Sequence, residues 1–249
     1  MTPENLPDTA PEPAGMSAFS RLTGVFFEPK KTFEDIARRP TFLLPLALVI
    51  AFGLAFMVFY SQRVGWEKTV RDKIESSSQS QQLSAEQKAQ QIAIGAKIAP
   101  IFGYVGVIVG TPIMDLAVAG ILLGIAAGMM SAPIKFKQVF AAVCWSYVVT
   151  CISMALSVVV MFLKNPEDFD LNNPLIFNLG ALFEPNMPTK FIHSVASSID
   201  LFPFWVIFLM ATGLKAAGGK RFSFGSALTA VVLPWGVYVL GKSAMAAIF

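Results

Sequence analysis

Residues 41–60 read TFLLPLALVIAFGLAFMVFY, 20 positions without one charged side chain. That is the helical length a hydrocarbon layer of ~30 Å demands, because inside lipid a segment must satisfy its own backbone amides and carbonyls. Four further stretches meet the same test: 98–130, 139–163, 199–217 and 225–248. Of 19 basic and 16 acidic residues, only Asp115, Asp200, Lys215 and Lys242 fall inside these limits. A composition that is 55% hydrophobic and 14% charged leaves too few charges to solvate a soluble domain of this size. The chain therefore reads as an all-α membrane protein, a five-span transmembrane helix bundle.

The spans are unequal. The second covers 33 positions, about 50 Å as a straight helix, so it must tilt, kink at Pro112 or protrude. The fourth is the weakest by length. Its charge-free centre runs only over 201–214, although an apolar flank from Phe191 is able to extend it. Residues 1–16 form an acidic, Pro-containing tail, read as disordered, and 17–249 form one domain. The sizeable polar excursion is 61–97. It contains the low-complexity turn SSSQSQQ at 76–82, and Ser84 with Gln87 makes a capping box that predicts a helix starting at Ala85. Segment 164–198 reads as a turn-rich loop.

Lysine and arginine placement sets the expected orientation. With the N-terminus inside, ten basic residues fall inside and nine outside. The count is nearly even, but the inside loops are short and free of acids. Five basic residues also crowd into the 19 positions from Arg21 to Arg39 just before the first span. An N-inside, C-outside topology follows.

Residues 19–40, FSRLTGVFFEPKKTFEDIARRP, lead into that span. Pro29 suits the first turn of a helix and Pro40 ends it. Phe33, Ile36 and Ala37 share one face, opposite Lys30, Lys31, Asp35 and Arg38. The result is an N-terminal amphipathic surface helix. A generic juxtamembrane helix has the same pattern.

The phrase GVFFEPKKTFEDIARRPTFLLPL, with an F-x-P-x-x-x-F core at Phe27, Pro29 and Phe33, resembles the start of the Yip-one domain family (Ypt-interacting-protein type) in its prokaryotic branch. KFKQVFAAVCWSYVVTCI, Lys135 to Ile152, resembles the short basic loop that opens that family's third span. The resemblance extends from about Phe19 to the C-terminus. It implies a five-span fold after a short lead-in, in a bacterial cytoplasmic membrane. The region that eukaryotic relatives use for small-GTPase contact is largely missing, so Rab-type GTPase binding is not expected.

Catalytic readings fail on inventory. His193 is the single histidine, so H-E-x-x-H chemistry and a Cys/His zinc site have no ligands, and no metal or cofactor is expected. Ser226 lacks a nucleophile elbow, and one membrane aspartate makes no aspartyl pair. The glycines and lysine of GLKAAGGKR, Gly213 to Arg221, have the wrong spacing for a phosphate loop. A net charge of +3 with no Lys/Arg block argues against nucleic acid.

Asp115 is the sharpest single residue. A carboxyl at membrane depth costs roughly 2.5–3.5 kcal/mol on insertion scales and must face the bundle or water. It reads as a proton or cation site, as a structural carboxyl meeting Thr111, Ser146, Thr150 or backbone freed by Pro112, or as a group nearer an interface than its position implies. Lys242 is a candidate partner or a snorkelling lysine. Gly106 and Gly110 form one G-x-x-x-G, and Gly120, Gly124 and Gly128 form two more. Such spacing lets helices approach closely, within the bundle as the first expectation or between copies as the alternative. Ser146, Thr150, Ser153 and Ser157 read as an interhelical seam. Cys144 and Cys151, about 10.5 Å apart along a helix, read as packing residues. The expected function is a non-enzymatic organiser of membrane or partner proteins, homo-oligomeric if the glycines self-associate. A small transporter or channel component using Asp115 is the alternative.

Overall fold

A computed structural model describes residues 15–77, 82–171, 173–183 and 189–248. Most of the expected tail and most of the SSSQSQQ turn lie outside the described residues. Five helices are long and apolar enough to cross a membrane.

The lead-in is two helices. α1 (Ala18–Phe27) starts where the Ser17 side chain accepts from the Ser20 amide, and α2 (Pro29–Arg38) starts on Pro29. Proline has no amide to continue α1 but suits a first turn, so the chain bends at Glu28. α2 keeps most of its expected amphipathic pattern, except that Asp35 of the polar face is half-buried against Arg21 of α1. Thr32, Phe33 and Ile36 are buried, whereas Lys30, Lys31 and Arg38 are exposed. The apolar face packs against the third and fourth spans. Arg21 Nη2 and Nε both reach Asp35 Oδ2 at 2.7 Å, and Arg21 Nη1 donates to Thr41 Oγ1 at 2.8 Å, tying α1 to α2 and to the start of the first span.

The first span is α3 (Leu43–Arg63). Gly65 turns the chain at φ +86°, in the left-handed region that a side chain disfavours. Then α4 (Trp66–Ser76) packs along α5 (Ala85–Val105) as a hairpin. The capping box at Ser84 and Gln87 is formed, and α5 begins at Ala85 as expected. Of the polar excursion, α4 is a helix of its own, and 85–97 is the polar start of the helix that becomes the second span. A π-helical turn (Gly106–Gly110), α6 (Thr111–Leu123) and a second π-helical turn (Gly124–Met129) continue it without a break. The whole helix, Ala85–Met129, is 45 residues long. It is not interrupted at Pro112. The Thr111 amide bonds five residues back to Gly106 O, and this widened turn seats the proline ring at the start of α6.

The third span joins α7 (Phe136–Tyr147) and α8 (Thr150–Leu163). Past a loop and the short α9 (Leu179–Phe183), the flank from Phe191 does not lengthen the fourth span. It folds as a separate helix, α10 (Lys190–Ser198). Asp200 decides this: its Oδ1 accepts from the Phe202 amide at 2.9 Å and caps α11 (Leu201–Gly218). α12 (Phe224–Ile248) is the fifth span.

The main core runs along α11 from Phe202 to Leu214, and at the lead-in end it takes in Phe33, Ile36, Val139 and Trp145. Gln138 Nε2 donates to Ala37 O at 2.8 Å, and Trp145 Nε1 donates to Thr41 O at 2.8 Å. A smaller cluster of Phe56, Tyr60, Met161 and Phe169 closes the opposite end.

Candidate functional site

Asp115 stands on the second turn of α6, on the face toward α7, and is 4% exposed. Its Oδ2 accepts from Cys144 Sγ at 3.6 Å. Cys144 reaches it because α6 and α7 pack side by side, and the thiol is a small, weak donor. None of the partners expected from sequence fills this place. Ser146 Oγ donates to Ala142 O and Thr150 Oγ1 to Tyr147 O, each back into its own helix. Ser153 and Ser157 do the same, bonding to Thr150 O and Ser153 O. The hydroxyl stripe of the third span is therefore self-satisfied and makes no hydrogen-bonded seam.

Lys242 is not brought to Asp115. Its Nζ donates to Ser198 Oγ at 3.4 Å, at the far end of α12, and the residue is exposed. Beside it Ser243 Oγ donates to Ser194 Oγ at 3.0 Å in a buried α10–α12 contact. Among the described residues Asp115 makes no ion pair within 4 Å. Chemically the pair offers a carboxyl that holds or passes one proton, with a thiol beside it. Among the described residues no three His, Cys, Asp or Glu side chains are grouped to hold a metal ion. Cys144 and Cys151 are both buried and free.

The glycines divide sharply. A Cβ added at Gly106, Gly110, Gly120, Gly124 or Gly128 would meet nothing within 4 Å. Each therefore has open space where a side chain would stand, although the π-helical turns that carry Gly106, Gly110, Gly124 and Gly128 lie against α3 and α12. The cause is the register of the second span. In the first π-helical turn Val107 is the residue aimed at α3, where a Cβ on Gly53 would come within 2.9 Å of Val107 Cγ1. The close approaches belong to other glycines. A Cβ on Gly213 would lie 2.6 Å from Ala142 Cβ and 3.0 Å from the Phe33 ring. Gly213 drew attention in the sequence only as part of a failed phosphate loop.

The lead-in motif is split in the same way. Phe33 is 1% exposed and wedged against Gly213. Pro29 opens α2. Phe27, at the end of α1, is 84% exposed. Three further residues that hold this end together were missed from the sequence: Arg21, Gln138 and Trp145. Gln138 carried a signal, since it is the third helical residue after Lys135 and its Oε1 accepts from the Lys135 amide at 3.0 Å.

Residues 23–245 match the family model described as the Yip1 domain, nearly the whole chain. No curated protein and no solved structure matches.

Proposed function

We propose a non-catalytic, organising role for this chain, which belongs to the Yip1 domain family. The chain is a multi-pass membrane protein in contact with the lipid bilayer. The observation that carries the reading is the open space beside five glycines of the second span, where an added Cβ would meet nothing within 4 Å. Small residues let helices approach closely enough for dispersion and weak Cα–H contacts to hold them together in lipid. The role fits that space: association with a second copy or with another membrane protein, while the packed lead-in keeps the bundle rigid. The test is crosslinking in native membranes with Gly106→Leu and Gly124→Leu. Loss of self-association or partner capture, with the monomer still folded, supports the role. Crosslinks unchanged by both substitutions overturn it.

A second reading is supported by Asp115, a buried carboxyl whose hydrogen-bond partner is a thiol. In it, the chain is a small transporter or channel component. A proton- or ion-dependent flux in liposomes that Asp115→Asn abolishes would replace the organiser with this one.

The basic residues crowded before the first span support a topology with the N-terminus inside and the C-terminus outside, which we place in a bacterial cytoplasmic membrane on the resemblance to the family's prokaryotic branch. Ser77 is exposed in the excursion and the native cysteines are buried. A Ser77→Cys variant should therefore label with an impermeant reagent from outside intact cells, and labelling only from the cytoplasm reverses the topology.

A further inference from the structure

We propose that the corner between α2 and α3, together with the first turn of α7, binds the phosphate of an anionic phospholipid. The inference does not depend on the organising role.

The two ends of the bundle differ in charge. The end formed by the lead-in and the turns after the second and fourth spans carries ten basic residues from Arg21 onward. Against them stand three acids, Glu28, Glu34 and Asp35. The opposite end carries nine basic and nine acidic residues. At the first end the acids are mostly engaged: Asp35 by Arg21 at 2.7 Å and Glu28 by Lys31 at 3.2 Å.

The corner concentrates what is left. The Gln138–Ala37 hydrogen bond holds the start of α7 against the end of α2, and Trp145 anchors the carbonyl of Thr41. Phe42 packs on Phe140 with ring centroids 4.8 Å apart, which fixes the turn into α3. Arg38, next to Ala37 on the last turn of α2, and Lys135 and Lys137, just before Gln138 at the start of α7, therefore flank that hydrogen bond. All three are exposed, and among the described residues none has an acidic partner within 4 Å; Glu34, one turn before Arg38, makes no ion pair among them either. The positive end of α7 adds to the field in the same sense, and Arg38 offsets the negative end of α2.

Apolar surface adjoins these cations. Leu43, the first residue of α3, is 72% exposed, and Phe136, the first of α7, is 41% exposed. Cations beside exposed apolar side chains fit a ligand that carries a phosphate and an acyl chain together. Basic sites between membrane helices take phospholipid headgroups on these grounds. Inorganic phosphate would use the charge and leave the apolar surface uncovered.

The test uses the purified full chain in mild detergent, offered phosphatidylglycerol and phosphatidylcholine of matched chains and read by native mass spectrometry. The wild-type chain should retain phosphatidylglycerol in preference. Lys135→Gln with Lys137→Gln should cut that retention about thirtyfold, taking roughly 1 kcal/mol per cation at a surface, and leave phosphatidylcholine retention unchanged. Arg38→Gln, on a different element, should lower retention in the same direction and serves if the lysine pair fails to fold. Lys88→Gln with Lys97→Gln makes the same charge change at the opposite end and should have no effect. The proposal is overturned by equal retention of the two lipids or by equal losses in both lysine pairs. It also fails if inorganic phosphate raises the thermal stability as much as phosphatidylglycerol does.

Discussion

The second and fourth spans are helices of one bundle used in opposite ways. Ala85–Met129 is the longest helix in the chain, yet 17% of its most apolar stretch is buried. Leu201–Arg221 is less than half as long, and 56% of its most apolar stretch is buried. By charge-free length the fourth span is the weakest of the five, and it is the hub, packed by α2, α7 and α12. Lipid tails are as apolar as leucine, so apolarity is demanded most where a helix meets lipid. A helix enclosed by protein is selected for fit. The second span accordingly exposes Ile101, Phe102, Ile113, Met114 and Ile121, while the fourth buries Ala211, Thr212 and Gly213. The glycines follow the same division: a Cβ added at Gly106, Gly110, Gly120, Gly124 or Gly128 of the second span would meet nothing within 4 Å, and Gly213 admits the ring of Phe33.

The contrast depends on the lead-in gripping the fourth span, and breaking that grip should have the largest effect. Arg21→Ala removes the partner of Asp35 in a pair whose side chains are 6% and 15% exposed. Leaving one member of such a pair alone costs about 3 kcal/mol. Reversible unfolding in detergent should show that loss, and a stability within error of wild type would mean the pair holds nothing. Next in size is Gly213→Leu, which drives a side chain into Ala142 and Phe33. Overpacking of this kind costs about 1–3 kcal/mol, and the same assay should detect it, with α2 becoming more open to proteolysis. The smallest expected effect is that of Gly120→Leu. Nothing lies within 4 Å of the added carbon, so the folding stability of the monomer should stay within about 0.5 kcal/mol of wild type. Two glycine substitutions that destabilise equally would erase the distinction between the spans.

Much of the local structure is written in short-range chemistry. Pro29 starting a helix, Pro40 following its end, and Ser84 with Gln87 capping α5 all stand where backbone hydrogen-bonding rules place them. Asp200 is a near miss. It was read as an edge residue of a span, and as a cap it splits α10 from α11, because a carboxylate satisfies the amides at a helix start better than it tolerates the middle of an apolar helix. The candidate site is less legible. Asp115 was identified, but its partner Cys144 was not, since 29 residues separate them and either of two neighbouring helices could have faced the carboxyl. Lys242 and Asp115 pair well by charge and are held apart by where their helices lie.

The sequence by itself determined that this is a five-span helical membrane protein, where most of its helices begin, and that its ionisable groups at membrane depth are few. Those are consequences of backbone satisfaction and transfer cost, which are paid residue by residue. Only the tertiary structure decided which faces meet protein and which meet lipid. Inside a bilayer both surroundings are apolar, so hydrophobic pattern ceases to distinguish them. The choice falls to shape at a few atoms, such as Phe33 against Gly213 or Val107 against Gly53, and to hydrogen bonds between residues far apart in the chain.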